Sequence, residues 1–336
     1  MSVEDQIPRE ADVRMDRFGP ALQHLPTISS KGFEVQYPLD DPLMSEQLNF
    51  FKAATMIPDP QKLKQHILSI RDECCKAFPF PCILCFYFLQ GMIVRHPFYP
   101  TVREVIEQQS DAQKILVDIG AGLGTDLRQI ISHGWNRDDV LGVDITKDWD
   151  SLGYKLFRDS ERPIPNFLGD ILSTDVLSPS IPIEALSGVI DLRSLKSLNP
   201  LKGRVNFLIL NQVFHLFDES QQYTLAERCA LLLSDEAGST IFGMQMGGYR
   251  KGFESKVFVH STESWKKLWH SIFGPNKVKV TAELVDLPPK ESINLRSLFP
   301  TSRDIVRLCS AQQTNQNLKA IECLHLRSSA ISKLLF

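Results

Sequence analysis

The sequence predicts an α/β fold, in which a doubly wound and mostly parallel sheet carries helices on both faces. Apolar, β-branched runs alternate with stretches of helical periodicity along the middle of the chain. Each of the first three runs ends in glycine or aspartate, and the first is followed at once by three closely spaced glycines. In sheets of this kind, ligands bind at the carboxyl ends of the strands.

The first strand and helix flank the segment VDIGAGLGTDLRQIISHG, residues 117–134. Lys114–Ile119 is almost continuously apolar, as expected of a strand buried on both faces. Apolar residues then recur at helical spacing until Gly134, which predicts the end of the helix. In its first turn we interpret Asp126 as a partner of the helix dipole and Arg128 as its exposed neighbour. Three glycines lie between this strand and the helix: Gly120, Gly122 and Gly124. They predict a turn whose backbone amides face a ligand.

Aspartates after the next two strands indicate which ligand this is. Val140–Ile145 is a second buried strand, and Asp144 lies twenty residues after Gly124, where a carboxylate meets the ribose hydroxyls of an adenosine. Ile164–Gly169 predicts the third strand, with Asp170 at its tip. The third glycine of the run comes one residue too early for a dinucleotide fingerprint, which disfavours a pyrophosphate.

A cationic cofactor, S-adenosyl-L-methionine, fits the acidic residues better. The glycines would admit its methionyl chain, Asp118 would face its charged end, and Asp144 would hold the ribose. Asp170 would receive the adenine amino group. We include the residues that follow the second and third aspartates in the cofactor-binding set: Ile145 and Ile171.

Four segments carry a resemblance to a known family: VDIGAGLGTDLRQ, GYKLFRDS, FLGDIL and FHLFD. In this order they resemble the class I S-adenosylmethionine-dependent methyltransferases of fungal secondary-metabolite clusters, especially the meroterpenoid carboxyl O-methyltransferases. The likeness covers roughly residues 35–275. It implies a Rossmann-like, seven-stranded, mostly parallel sheet with an N-terminal helical cap. It also implies methyl esterification of a terpenoid or meroterpenoid carboxylate.

Candidate catalytic residues follow the fourth and fifth strands, which we predict at Val205–Leu210 and Gly238–Gln245. Asn211 and His215 come directly after the fourth strand, and a helical turn starting at Asn211 would place both on one face. His215 is either a base for a phenol, a donor that orients a carboxylate, or a packed structural histidine. His260, at the entrance of a later helix, is the third candidate.

Several other segments give local expectations. CILCFYFLQGMIV, residues 82–94, predicts one buried helix that could wall a substrate cavity. By analogy with the family, Val278–Leu287 and Arg303–Leu308 would form an antiparallel edge of the sheet. ECLHLRSSAISKLLF, residues 322–336, could be a helix that packs on the core or on another subunit. The predicted division is a loose arm (1–34), a helical cap (35–110), a methyltransferase core (111–309) and a C-terminal extension (310–336).

Composition limits the partners. The 336 residues are 43% apolar and carry a formal net charge of −3, which gives no electrostatic footprint for nucleic acid. The N-terminus lacks the pattern of a signal or transit peptide, and no segment predicts a membrane span, so we expect a cytoplasmic protein. The seven cysteines include one Cys-x-x-Cys pair, Cys82 and Cys85, without the second pair that a zinc site needs. We expect a hydrophobic small-molecule substrate and no metal. Whether the chain forms a homodimer is left open.

Three other functions compete with carboxyl methylation. A phenol O-methyltransferase would use the same cofactor and would need a general base. A cyclase or pericyclase of the methyltransferase fold would keep the pocket without transferring a methyl group. A non-catalytic binding subunit would be favoured by degenerate glycines, but the glycine run is intact.

Overall fold

Parallel strands that follow the apolar runs of the sequence form the centre of the molecule. The computed structural model describes residues 37–77, 81–108, 112–183, 188–254, 257–284 and 319–327. The first five strands lie side by side in the order β3-β2-β1-β4-β5, and all their pairs are parallel. Their bounds are β1 Ile115–Ile119, β2 Val140–Asp144, β3 Asn166–Leu168, β4 Val205–Leu210 and β5 Thr240–Gly247.

Helices cover both faces of this sheet, because each strand alternates the side on which its apolar side chains are buried. The described α-helices are α1 Ser45–Thr55, α2 Pro60–Ala77, α3 Pro81–Leu84, α4 Tyr99–Glu107, α5 Thr125–Ser132, α6 Lys147–Phe157, α7 Glu219–Leu232 and α8 Thr262–Phe273. Helices α4 and α5 pack on one face, while α7 and α8 pack on the other. The predicted α/β class with a mostly parallel, doubly covered sheet is confirmed.

Beyond β5 the sheet departs from the expected antiparallel edge. Strands β8 Val278–Leu284 and β9 Lys319–Arg327 extend it, with β9 between β5 and β8. Both pairs are parallel, so the expected antiparallel pairing is wrong. A parallel pair needs a crossover of a dozen or more residues, and 34 positions (285–318) separate the two strands. Arg303–Leu308 lies outside the described residues.

The C-terminal segment also differs from expectation. Residues 319–327 form a strand, so a helix over this part of ECLHLRSSAISKLLF is wrong. Strand β9 pairs with the whole length of β5, from Thr240 opposite Ala320 to Gly247 opposite Arg327. This pairing satisfies backbone groups that β5 would otherwise expose as an edge strand. A short antiparallel pair, β6 Gly252–Glu254 and β7 Val257–Val259, lies apart from the main sheet.

The N-terminal helices pack onto the core through α6. Asp59 caps α2, with its carboxylate accepting from the backbone N–H of Lys62 at 2.8 Å. Phe51 of α1 is fully buried, and its ring stacks on Phe157 of α6 with centroids 5.5 Å apart. One apolar cluster therefore contains residues of the N-terminal helices, of α6 and of the glycine turn.

The aromatic segment 82–94 is buried as expected, but it is not one helix. Helix α3 ends at Leu84, Phe86 is left-handed with φ +57°, and only a single 3-10 turn follows over Tyr87–Leu89. A left-handed residue interrupts the helical hydrogen-bond pattern. Gly91, also left-handed, ends the segment. The segment nevertheless buries Ile83, Leu89 and Ile93.

Within the described ranges, no helix is both long and apolar enough to cross a membrane. The division into arm, cap, core and extension stays a prediction.

We expect Phe51→Ala to lower the free energy of unfolding by about 3–5 kcal/mol, because it opens a cavity between α1 and α6. Leu43→Ala, at a side chain 79% exposed, serves as the control and should change it by less than about 0.5 kcal/mol. Urea unfolding followed by circular dichroism measures both. Equal effects would show that α1 is not packed on the core.

Candidate active site

The turn between β1 and α5 has the conformation that its glycines predict. The φ angles of Gly120, Gly122 and Gly124 are +76°, +53° and +67°, values that residues other than glycine rarely adopt. A Cβ at Gly120 would also lie 2.6 Å from a methyl group of Val213. The amide of Gly120 donates to the carbonyl of Val143 at 2.8 Å, so β2 anchors the turn. A Cβ at Gly122 would meet nothing within 4 Å, so this part of the turn has open space in front of it.

Asp144 joins the end of β2 to this turn. Its Oδ2 accepts from the amide of Gly122 at 2.9 Å, and its Oδ1 accepts from the amide of Ile145 at 2.7 Å. Burial raises the pKa of Asp144 to about 6, although these amide donors oppose the shift. A carboxylate has about four acceptor positions, so Asp144 retains capacity for ribose hydroxyls.

Three carboxylates lie around the turn and repel one another. Asp118 on β1 is 4% exposed, and its pKa is raised by burial and then by the charges of Asp126 and Asp144. Burial also raises the pKa of Asp126 to about 6. A cationic ligand would relieve this repulsion, whereas a pyrophosphate would add to it.

Arg128, which we expected to be exposed, is buried beneath the turn. Its guanidinium forms two hydrogen bonds to the carboxylate of Asp159, at 2.8 and 2.9 Å, and lies over the ring of Phe157. A third nitrogen donates to the carbonyls of Leu123 and Gly124 at 3.0 and 3.2 Å. The expectation is wrong because Arg128 lies at the start of α5, close to the turn, and its side chain folds back to donate to two carbonyls of the turn and to Asp159.

Asp126 connects three parts of the molecule and is more than a partner of the helix dipole. It accepts from the amide of Ile93, which precedes α4, at 3.2 Å, and from the side-chain amide of Asn211 at 3.0 Å. Asn211 in turn accepts from the backbone of Met244 on β5 at 3.0 Å. The contacts of Asn211 favour a role in holding the site together, and its catalytic role stays a prediction.

The segment after β4 turns differently from the expectation. Gln212 is left-handed with φ +55°, so no helical turn begins at Asn211, and a 3-10 turn starts only at Phe214. The expected shared face of Asn211 and His215 is therefore wrong. Gln245 of β5 reaches this segment: its Oε1 accepts from the amides of Val213 and Phe214 at 3.1 and 3.0 Å.

Both candidate histidines are held neutral. Burial lowers the pKa of His215 to about 4, and Nδ1 of this ring is buried without a hydrogen-bond partner in the described part of the chain. Burial also lowers the pKa of His260 to about 4. His260 is 5% exposed and contacts Ser264 through Nδ1, 3.0 Å from its hydroxyl oxygen. Its backbone pairs with the end of β5, so it also lies at the carboxyl edge of the sheet.

The third strand supplies the remaining predicted residues. Asp170 follows β3, and its carboxylate accepts from the backbone amide of Leu172 at 2.9 Å, as in a turn. Ile171 is buried in the main core. Asp144 and Asp170 lie at the ends of neighbouring strands, because β2 and β3 pair in parallel. Their contacts with a cofactor stay predictions.

Sequence reasoning missed three residues that support the site: Arg128, Asp159 and Gln245. The first two belong to the segments DLR and LFRD, whose pairing is not visible in the sequence. A signal for Gln245 exists, because it is a polar residue with a large side chain in the middle of the mostly apolar strand TIFGMQMG.

The residues at this edge fit S-adenosylmethionine. The turn is open in front of Gly122, a carboxylate stands at the end of β2, and the three aspartates favour a cation. The strand order and this site define a class I methyltransferase with S-adenosylmethionine as its methyl donor.

Sequence similarity to known proteins identifies the family of this chain. Residues 26–89 match the meroterpenoid methyltransferase N-terminal domain. The chain is 31% identical to the Asnovolin E/Chermesin D methyltransferase nvfJ of Aspergillus novofumigatus, over 63% of this chain and 70% of that protein. It is 28% identical to the O-methyltransferase phiE of a fungal species, over 69% of this chain and 72% of that protein. The chain belongs to the fungal meroterpenoid methyltransferases, as its sequence motifs indicated.

The ranges that the structure describes contain no group of three or more side chains suited to a metal ion. The absence of a metal requirement stays a prediction.

We expect Arg128→Met to lower the free energy of unfolding by about 3–5 kcal/mol, because it leaves the Asp159 carboxylate partly buried and without its main partner. Arg193→Met is the matched control, since it breaks an exposed pair with Asp138 and should cost less than about 1 kcal/mol. Chemical denaturation measures both. A similar, small cost for the two variants would contradict a clamp beneath the turn.

We expect Asp144→Asn to weaken S-adenosylmethionine binding by about 1–3 kcal/mol. In the wild type, affinity should rise between pH 5 and 7, because the charged carboxylate accepts ribose hydroxyls better and its pKa is about 6. The variant should keep only part of that rise, since Asp126 still titrates in the same range. Calorimetry at several pH values tests this, with exposed Asp148→Asn on α6 as the control. Unchanged affinity would remove Asp144 from the ribose role.

Proposed function

We propose that this protein methylates a carboxylate oxygen of a hydrophobic terpenoid or meroterpenoid intermediate. The observation that carries the proposal is the state of the two histidines at the carboxyl edge of the sheet. Both have pKa values of about 4, so both are neutral at physiological pH. Membership of a family described by meroterpenoid methylation supports the substrate class.

A neutral histidine of this kind suits a carboxylate acceptor better than a phenol. A carboxylic acid with a pKa near 4 is already ionised at pH 7, so it needs no base before it attacks a methyl group. A phenol, with a pKa near 10, needs a general base, which works best with a pKa near the operating pH, and a histidine with a pKa of about 4 is a weak base. A hydrogen bond from a neutral imidazole can still orient the carboxylate.

The bound cofactor would supply an activated methyl group, which is transferred in line to the acceptor oxygen. The protein then has to align the two reactants and keep water away. In this proposal the glycine turn and Asp144 hold the donor, while His215 orients the acceptor. The aromatic segment 82–94 reaches the start of α5, beside the glycine turn, because Ile93 donates its amide to Asp126.

The proposal places this reaction in the cytoplasm. The methyl acceptor in this proposal is a small molecule and not a nucleic acid. A homodimer remains part of the proposal without a contact assigned to it.

We expect His215→Asn to keep most of the kcat and to raise the KM for the acceptor, because Asn retains a hydrogen-bond donor. His215→Ala should lower kcat/KM by about tenfold to a hundredfold, which is the range for a hydrogen bond to a charged group. For the wild type, kcat should rise up to about pH 5 and stay level from pH 6 to 8, since carboxylic acid and imidazole both titrate near 4.

Mass spectrometry of products from matched terpenoid carboxylic acids and terpenoid phenols measures these effects. Methyl esters from the acids support the proposal. Phenol ethers together with a rate that keeps rising toward pH 10 would replace it with phenol methylation. Wild-type kinetics in both variants would make His215 a packed structural residue.

A further inference from the structure

The backbone ladder between β4 and β5 stops before the two strands end. Its register runs from Phe207 opposite Thr240 to Ile209 opposite Phe242. Beyond this point, the side-chain amides of Gln245 and Asn211 form hydrogen bonds between the two strands. Gln245 donates to the carbonyl of Leu210 at 2.7 Å, and Asn211 accepts from the amide of Met244 at 3.0 Å. The end of β4 is therefore held to β5 by these two side chains together with one backbone hydrogen bond from Gln212.

Gln245 also holds the segment that carries His215. Its amide oxygen accepts from the backbone of Val213 and Phe214, and its amide nitrogen donates to Leu210. Gln245 is 1% exposed, so each of these backbone groups would be costly to leave unpaired. A single side chain thus fixes the segment on both sides of Gln212.

The segment needs such support because its own conformation is unfavourable. Gln212 has φ +55°, a region that residues other than glycine rarely adopt. The backbone amide of Gln212 is itself bound to β5, since it donates to the carbonyl of Met244 at 2.7 Å. Val213, the next residue, lies against Gly120 of the cofactor turn. A shift of this segment would therefore move the acceptor side relative to the donor side.

We infer that Gln245 is a positioning residue for methyl transfer, which acts by holding residues 211–216 so that His215 meets the acceptor. The inference rests on the proposed role of His215 and deepens it. Gln245 itself touches neither reactant in this account. Its contribution is geometric, and a misplacement of about 1 Å at a reacting group can cost a hundredfold in rate.

Two variants separate positioning from general support. Gln245→Met keeps the length and burial of the side chain but removes its three hydrogen bonds. Gln245→Glu keeps an acceptor for Val213 and Phe214, but it can donate to Leu210 only when protonated. Its defect should therefore shrink, relative to the wild type, as pH falls below the raised pKa of the new carboxyl group.

Gln113→Met is the matched control. Gln113 also makes three hydrogen bonds, two to the backbone of Ile190 and one to Asp139. It lies before β1, at the opposite edge of the sheet from the site. Loss of its bonds should lower stability without affecting the segment after β4.

The first experiment does not depend on the acceptor. Long-range ¹H–¹⁵N spectra report the imidazole signals of the eight histidines, and His215→Ala identifies those of His215. Gln245→Met should shift the His215 signals, and Gln113→Met should leave them in place. Unmoved His215 signals in Gln245→Met would overturn the inference, even if the protein methylates carboxylates as proposed.

The second experiment is a double-mutant cycle on methyl transfer to the terpenoid carboxylic acids. Gln245→Met should lower kcat by about tenfold to a hundredfold with S-adenosylmethionine affinity within about threefold of the wild type. In the His215→Ala background it should have no further effect. Additive losses, or an equal collapse of cofactor affinity, would overturn the inference. If no carboxylate is methylated, the proposed function fails, and the spectra still decide the role of Gln245.

Discussion

The guanidinium of Arg128 beneath the glycine turn is the interaction on which the other parts of the site depend. It binds the carbonyls of the turn, the carboxylate of Asp159 at the end of α6, and the ring of Phe157. Phe157 stacks on Phe51 of the N-terminal helices. The cofactor turn, a core helix and the N-terminal helices therefore share one buried cation. An arginine suits this position because its planar fork can donate in several directions at once.

Charge is distributed unevenly across the site, and this asymmetry matches the chemistry. Asp118, Asp126 and Asp144 lie around the proposed donor side, where burial raises the pKa of each and the charges of the other two raise that of Asp118 further. On the proposed acceptor side, burial lowers the pKa values of His215 and His260 to about 4, so both are neutral at physiological pH. An anionic acceptor approaching this second region meets neutral donors. The methyl group to be transferred would lie between a region of negative charge and a region of neutral polar groups.

Much of the fold follows from local sequence, and the candidate site follows only in part. The first five strands, the glycine turn and Asp144 were predictable because each depends on neighbouring residues or on one spacing. Arg128 was not, since its burial depends on Asp159, which lies 31 positions away. The left-handed Gln212 was equally hidden, because the support for it comes from another strand. The order of β8 and β9 depends on long-range pairing that periodicity does not encode.

The position of β9 has a consequence for how the chain folds. Strand β8 precedes β9 along the chain, yet β9 separates it from β5. During synthesis, β8 can find its place in the sheet only after residues 319–327 have emerged, and until then β5 presents an open edge. Such non-local pairing slows folding and leaves a strand edge exposed to association with other chains. Residues 319–327 therefore complete the sheet between β5 and β8 and cover the edge of β5.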